Sequence, residues 1–103
     1  MAFFAVTTMH RPQRDSSRPI REQDGWDEHA AFMDGLVDQG FVVTGGPLGP
    51  GERVLLIVEA ADKEAIRQRL NDDPWEHMGL LRVGQMEPWT VWLDGRKKNG
   101  VAD

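Results

Sequence analysis

Residues 26–60 read WDEHAAFMDGLVDQGFVVTGGPLGPGERVLLIVEA. This stretch holds a helix, a turn-rich passage and two strands, and its reading decides the fold. The spacing predicts a helix over residues 25–39. Trp26, Ala30, Met33 and Val37 recur at helical intervals, with Leu36 beside them. Asp24 stands where an N-cap belongs. Asp27 and Glu28 fall in the first turn, where the positive end of the helix dipole favours acids. Gly40 is a natural stop. Phe41-Val42-Val43-Thr44 has the composition of a strand. The run Gly45-Gly46-Pro47-Leu48-Gly49-Pro50-Gly51 then reads as a turn region needing unusual backbone angles. Residues 53–60 are the clearest strand in the chain.

Upstream, residues 2–9 are short, apolar and rich in β-formers, which predicts a first strand. Residues 10–24 carry two prolines, two serines and four arginines without periodicity, so they read as a loop. Downstream, Asp62 can cap a second helix over about 63–70, with Ala65, Ile66 and Leu70 on one face. Asn71-Asp72-Asp73-Pro74 breaks it, and residues 75–80 look like a short irregular turn. The last strand is expected over 81–93, bent or bulged near Gly84 and Pro88. The order is β-α-β-β-α-β. That is the ferredoxin-like arrangement of the α+β class, an antiparallel sheet with two helices on one face. Residues 1–95 are expected to form this domain, and 96–103 a polar tail.

A chain of 103 residues has room for one modest core. Its net charge of −5 argues against broad nucleic-acid binding, which needs a basic face. No apolar run is long enough to span a bilayer, so no membrane association is expected. The start, Met1-Ala2-Phe3-Phe4, has no basic segment of the kind that opens a signal peptide, and the expected location is cytoplasmic. Without cysteine there are no disulfides and no thiolate chemistry.

Val54 to Val58 is apolar at five consecutive positions. A half-solvated antiparallel strand would alternate, so both faces of the sheet are expected to be covered. The helices cover one. A second copy packing on the open sheet face would cover the other, which predicts a two-fold homodimer.

Four groups of residues are candidates for chemistry. His29 lies three and four residues from Trp26 and Met33 and seven from Leu36, which puts it on the inward face of the first helix. A lone histidine on an apolar face reads first as a hydrogen-bonded core residue. The alternative is a general acid or base, since imidazole titrates near neutrality. Asp73 before Pro74 makes a good N-cap and N1 pair for the turn that follows. Its alternative role is a carboxylate that orients a histidine. Spacing does not decide between these, and whether the two residues meet depends on loop geometry. Gly45, Gly46 and Pro47 do not match a phosphate-binding loop. They read as a hairpin connection or as backbone lining a pocket near His29, hence as substrate-binding candidates. The 10–24 loop offers Arg11, Arg14, Arg18 and Arg21, of which Arg18 and Arg21 are candidates to meet a substrate. His10, His29 and His77 lack metal-ligand spacing, and Ser16 and Ser17 lie outside any nucleophile elbow. No metal and no cofactor are expected.

The pattern W-x-E-H-A-A-F-M-x-x-L-V-x-x-G-F-V-V-x-G-G-P-L from Trp26 to Leu48 resembles the YCII-related (YciI-like) family. So do N-D-D-P-W at Asn71 to Trp75 and E-P-W at Glu87 to Trp89. The resemblance covers about residues 2–93. It implies a ferredoxin-like fold that pairs into a dimeric α+β barrel, and a His-Asp catalytic dyad that falls on His29 and Asp73. One member type of that family is implicated in dehydrochlorination of a chlorinated hydroxyquinol, while most have no assigned reaction. The arginine-rich loop departs from the family's compact form. The resulting expectation is a small-molecule enzyme of lyase, isomerase or hydrolase type, with its pocket between helix one and the sheet. The alternative is a dimeric module that binds a small ligand without turning it over.

Overall fold

The computed structural model describes residues 2–10 and 17–94. Arg11, Arg14, Ser16 and the tail expected over 96–103 lie outside those residues. The elements are β1 (Ala2–His10), a 3-10 turn (Ile20–Glu22), α1 (Trp26–Asp38), β2 (Val42–Leu48), β3 (Arg53–Ala60), α2 (Lys63–Leu70), α3 (Pro74–His77) and β4 (Leu81–Trp89). The strands lie in the order β2-β3-β1-β4, every neighbour antiparallel. With the helices on one face, this is the ferredoxin-like α+β fold.

Period-two alternation sets what β1 and β3 offer to the helices. Phe4 pairs with Val58, Val6 with Leu56 and Thr8 with Val54. Phe4, Val6, Leu56 and Val58 are buried and join Leu36 of α1 and Ile66 and Leu70 of α2 in one core. Each such side chain contributes about 1.5–3 kcal/mol by leaving water. The alternate residues of β3, Leu55 and Ile57, lie on the other face. There Phe3, Val43, Ile57 and Trp89, with Thr44 and Asp94, border a groove of mixed polarity of about 320 Å³. The five-residue apolar run is thus divided between two surfaces.

The stripe on α1 is rotated from its expected setting. Val37 is 52% exposed, whereas Phe32, Met33 and Leu36 pack on the core. His29 stands three, four and seven residues before these, at the head of the same stripe. The helix starts from Gly25, not from an Asp24 cap. Gly25 has φ +76° and gives no side-chain cap. A Cβ there would come within 2.9 Å of the flexible Met78 side chain and 3.3 Å of Trp75 Nε1, and the positive backbone angle is what calls for glycine. The other caps follow expectation. Asp62 accepts a hydrogen bond from Ala65 N at 2.8 Å, and the chain turns out of α1 at Gly40.

Gly45-Gly46-Pro47 is strand, not turn. β2 runs on to Leu48, and the reversal falls on residues 49–52, closed by Gly51 N donating to Leu48 O at 3.0 Å. Two physical facts explain the difference. β2 is an outer strand, where a missing proline N–H is tolerated. A Cβ at Gly45 would lie 2.7 Å from Leu56 Cδ2 and 2.9 Å from Leu55 O, so β3 approaches closer than any side chain permits. At the other edge, β4 ends at Trp89 and not at residue 93, leaving Trp92 and Leu93 exposed. Its pairing with β1 shifts register between Val6 and Thr8, which is the irregularity expected near Gly84. No helix of the described residues is long and apolar enough to cross a membrane.

Gly45→Ala is expected to cost about 1–3 kcal/mol, the usual range for forcing atoms into filled space. Gly46→Ala, where an added Cβ meets nothing within 4 Å, is expected to stay within about 0.5 kcal/mol of the parent. Urea unfolding of both variants measures the difference.

Candidate active site

His29 sits in the first turn of α1, with its backbone N bonded to Gly25 O at 3.0 Å. Asp73 lies at the junction of α2 and α3. Its backbone N donates to Leu70 O at 3.1 Å, closing the end of α2, and its backbone O accepts from Glu76 N at 2.9 Å, opening α3. Its side chain caps α3 by accepting from Trp75 N at 2.9 Å. The same carboxylate reaches His29 Nδ1, at 2.9 Å from Oδ1 and 2.8 Å from Oδ2. Asp73 therefore caps α3 and also touches the histidine. The side chains are 13% and 3% exposed for His29 and Asp73.

Trp75 completes the arrangement. Its indole stacks flat on the His29 ring, with centroids 4.0 Å apart and planes 5° from parallel. Its Nε1 donates to Asp24 O at 2.8 Å, which ties it to the residue before Gly25. Trp26 leans on both rings at 5.8 Å. The imidazole is thus held on its face by Trp75 and at Nδ1 by Asp73. A carboxylate only accepts, so Nδ1 carries the hydrogen and Nε2 is the free acceptor of the neutral ring. That nitrogen can take a proton, and Asp73 then faces the imidazolium charge at hydrogen-bond distance.

The pair borders a cavity of about 60 Å³. Thr8 and His10 of β1, Ile20, Met33 of α1, Val54 and Leu56 of β3, Leu70 of α2, Glu76 of α3, and Leu81 and Val83 of β4 form the remaining wall. Gly45, Gly46 and Pro47 do not line it. They occupy the outer strand, with β3 between them and the cavity. Arg18 and Arg21 do not line it either. Arg18 NH1 lies 3.5 Å from Asp24 Oδ1, and the Arg21 guanidinium lies over Trp26 at 6.0 Å. The 3-10 turn that carries Arg21 sends Ile20 inward instead. Among the described residues, neither lysine nor arginine belongs to this wall.

His10, Glu76 and Thr8 are wall residues that the sequence reading did not select. The signal for His10 was available: Phe4, Val6, Thr8 and His10 share one strand parity. Among the described residues no group of three or more His, Cys, Asp or Glu is arranged to hold a metal ion.

Asp73→Ala is expected to destabilise by about 2–4 kcal/mol, since it removes a cap and strands two buried donors. Asp73→Asn keeps the cap and is expected to cost less. Denaturant melts followed by tryptophan fluorescence check that order, and equal losses refute it.

No protein-family model matches the sequence, and no curated protein matches it. Among solved structures the chain is similar to 5-chloro-2-hydroxyhydroquinone dehydrochlorinase from Burkholderia phenoliruptrix AC1100, determined in complex with 2,5-dihydroxybenzoquinone. The two are 26% identical, the match covers 86% of this chain and 94% of that one, and the TM-score is 0.65.

Proposed function

We propose that this protein is a small-molecule enzyme of lyase type. In this reading His29 is the proton-transfer residue and Asp73 its orienting partner. The observation that carries the reading is the 2.8 Å contact between His29 Nδ1 and the Asp73 carboxylate at the wall of a cavity. A buried carboxylate that fixes the tautomer and orientation of an imidazole is the arrangement that general-base chemistry needs. The similarity to a dehydrochlorinase favours elimination over hydrolysis, and the seven apolar residues of the wall suit a small planar ring. The substrate class is a hydroxylated ring bearing a leaving group. Assignment to the YCII-related family belongs to the same proposal, on the motifs at Trp26–Leu48 and Asn71–Trp75.

A second reading, ligand binding without turnover, has one observation in its favour. The enclosed space is about 60 Å³. That is under half of the ~150 Å³ cavity known to take up benzene. A six-membered ring enters only partway unless a side chain such as Met33 moves, which an unbranched thioether does readily.

The discriminating assay is chloride release from a panel of chlorinated hydroquinones and hydroxyquinols. His29→Ala and Asp73→Asn are each expected to lower the rate by about 10²–10⁴-fold, the range for losing general acid–base assistance. Equal rates in variant and parent sink the dyad.

The same proposal includes a two-fold homodimer through the open sheet face. Its support is the groove on that face, where Phe3, Ile57 and Trp89 present apolar side chains beside Thr44 and Asp94. Light scattering at micromolar concentration is expected to give twice the 11.6 kDa chain mass. Trp89→Glu is expected to lower it to the monomer value.

A further inference from the structure

We infer that His10 is a second catalytic residue of this cavity, a proton donor working with the His29–Asp73 base on one bound ring. This inference rests on the proposed function above and adds the residue that a lone dyad lacks. His10 ends β1, a central strand, where it pairs with Leu81 and its backbone N donates to Glu52 O at 2.9 Å. Strand parity puts its side chain on the helix-covered face with Val6 and Thr8, and it belongs to the cavity wall. It also meets the indole that His29 stacks on. The His10 and Trp75 centroids are 6.2 Å apart with planes at 74°, whereas His29 lies 5° from parallel to the same indole. The two imidazole planes are therefore close to perpendicular. One indole serves as a shared wall for both, so the rings are held in fixed relation and address different atoms of one bound molecule.

The chemistry of elimination from a hydroxylated ring calls for such a pair. A leaving group on an aromatic carbon does not depart until that carbon becomes tetrahedral. In the first step neutral His29 takes a ring hydroxyl proton, the oxygen's electron pair forms C=O, and protonated His10 gives its proton to the ring carbon bearing the leaving group. The ring is now a ketone tautomer of the same composition. In the second step His10, now neutral, takes a remaining hydroxyl proton, a second C=O forms, and the carbon–halide bond breaks with both electrons leaving on the halide. His29 returns its proton to solvent, and the net change is loss of one proton and one halide. No oxidant or reductant enters. Both forms of an imidazole coexist near neutral pH, which is why one can give a proton while the other takes one. Among the described residues of the wall, the imidazoles are the groups able to carry positive charge opposite an ionising hydroxyl.

The test has two arms. In the first, imidazole ¹⁵N NMR of the parent protein follows all three histidines while 2,5-dihydroxybenzoquinone is added, His77 on the surface serving as internal control. The expected result is that the ring nitrogens of His10 and His29 both shift and those of His77 do not. If His29 responds and His10 does not, the His10 role is overturned while the site itself stands. If neither responds, the cavity reading fails and His10 with it. In the second arm, His10→Gln is assayed for chloride release from 5-chloro-2-hydroxyhydroquinone in D₂O. The expectation is a kcat lower by about 10²-fold with KM changed less than about 3-fold, and slower deuterium entry at the ring carbon. His77→Gln is expected to match the parent. A His10→Gln enzyme with parental kcat and deuterium entry overturns the proposal.

Discussion

A carboxylate taken out of water keeps its charge only if hydrogen-bond donors replace the water it lost. Asp73, 2% exposed, has two such donors at hand: the backbone N–H of Trp75 and the Nδ1 of His29. The first bond starts α3 and thereby sets the indole of Trp75. The second brings α1 down onto the junction between α2 and α3. The indole then stacks on the imidazole that the same carboxylate holds. One side chain thus joins α1 to the α2–α3 junction 44 residues away, and the cavity lies where they meet.

The parts of this that depend on local rules were legible. Helical spacing put His29 on the inward face, and Asp-Pro announced a cap. The contact between them was not legible. α1 and α2 run antiparallel because the strands they follow, β1 and β3, do, so the end of α2 comes beside the start of α1; that orientation follows from the strand pairing and not from spacing along the chain. The turn through Asn71 and Asp72 keeps Asp73 at the end of α2, where its carboxylate reaches His29. The glycines misled for a related reason. Gly45-Gly46-Pro47 has the composition of a turn, but Gly45 is there because β3 comes close, a fact about tertiary approach that composition does not encode. His10 was passed over because the histidines were compared by spacing along the chain. The strand parity that would have placed it was used only for the core.

The sheet divides its labour between faces. The side toward the helices buries the core and, at one end of β1, gives way from Val6 to Thr8 and His10 at the cavity. Apolar side chains dominate that wall, so water is kept few and each polar contact counts for more than it would in the open. The opposite side carries the groove around Ile57 and Trp89. A strand as apolar as β3 suits this arrangement because each face asks for a hydrophobic residue.

Both outer strands contain a proline, Pro47 in β2 and Pro88 in β4. Each removes a donor from a strand that otherwise presents a ladder to passing chains. A newcomer cannot zip along either margin for its full length, so sideways growth into a ribbon or fibril is discouraged at both ends of the sheet. The sheet therefore stays four strands wide, its margins blunted against pairing with further strands.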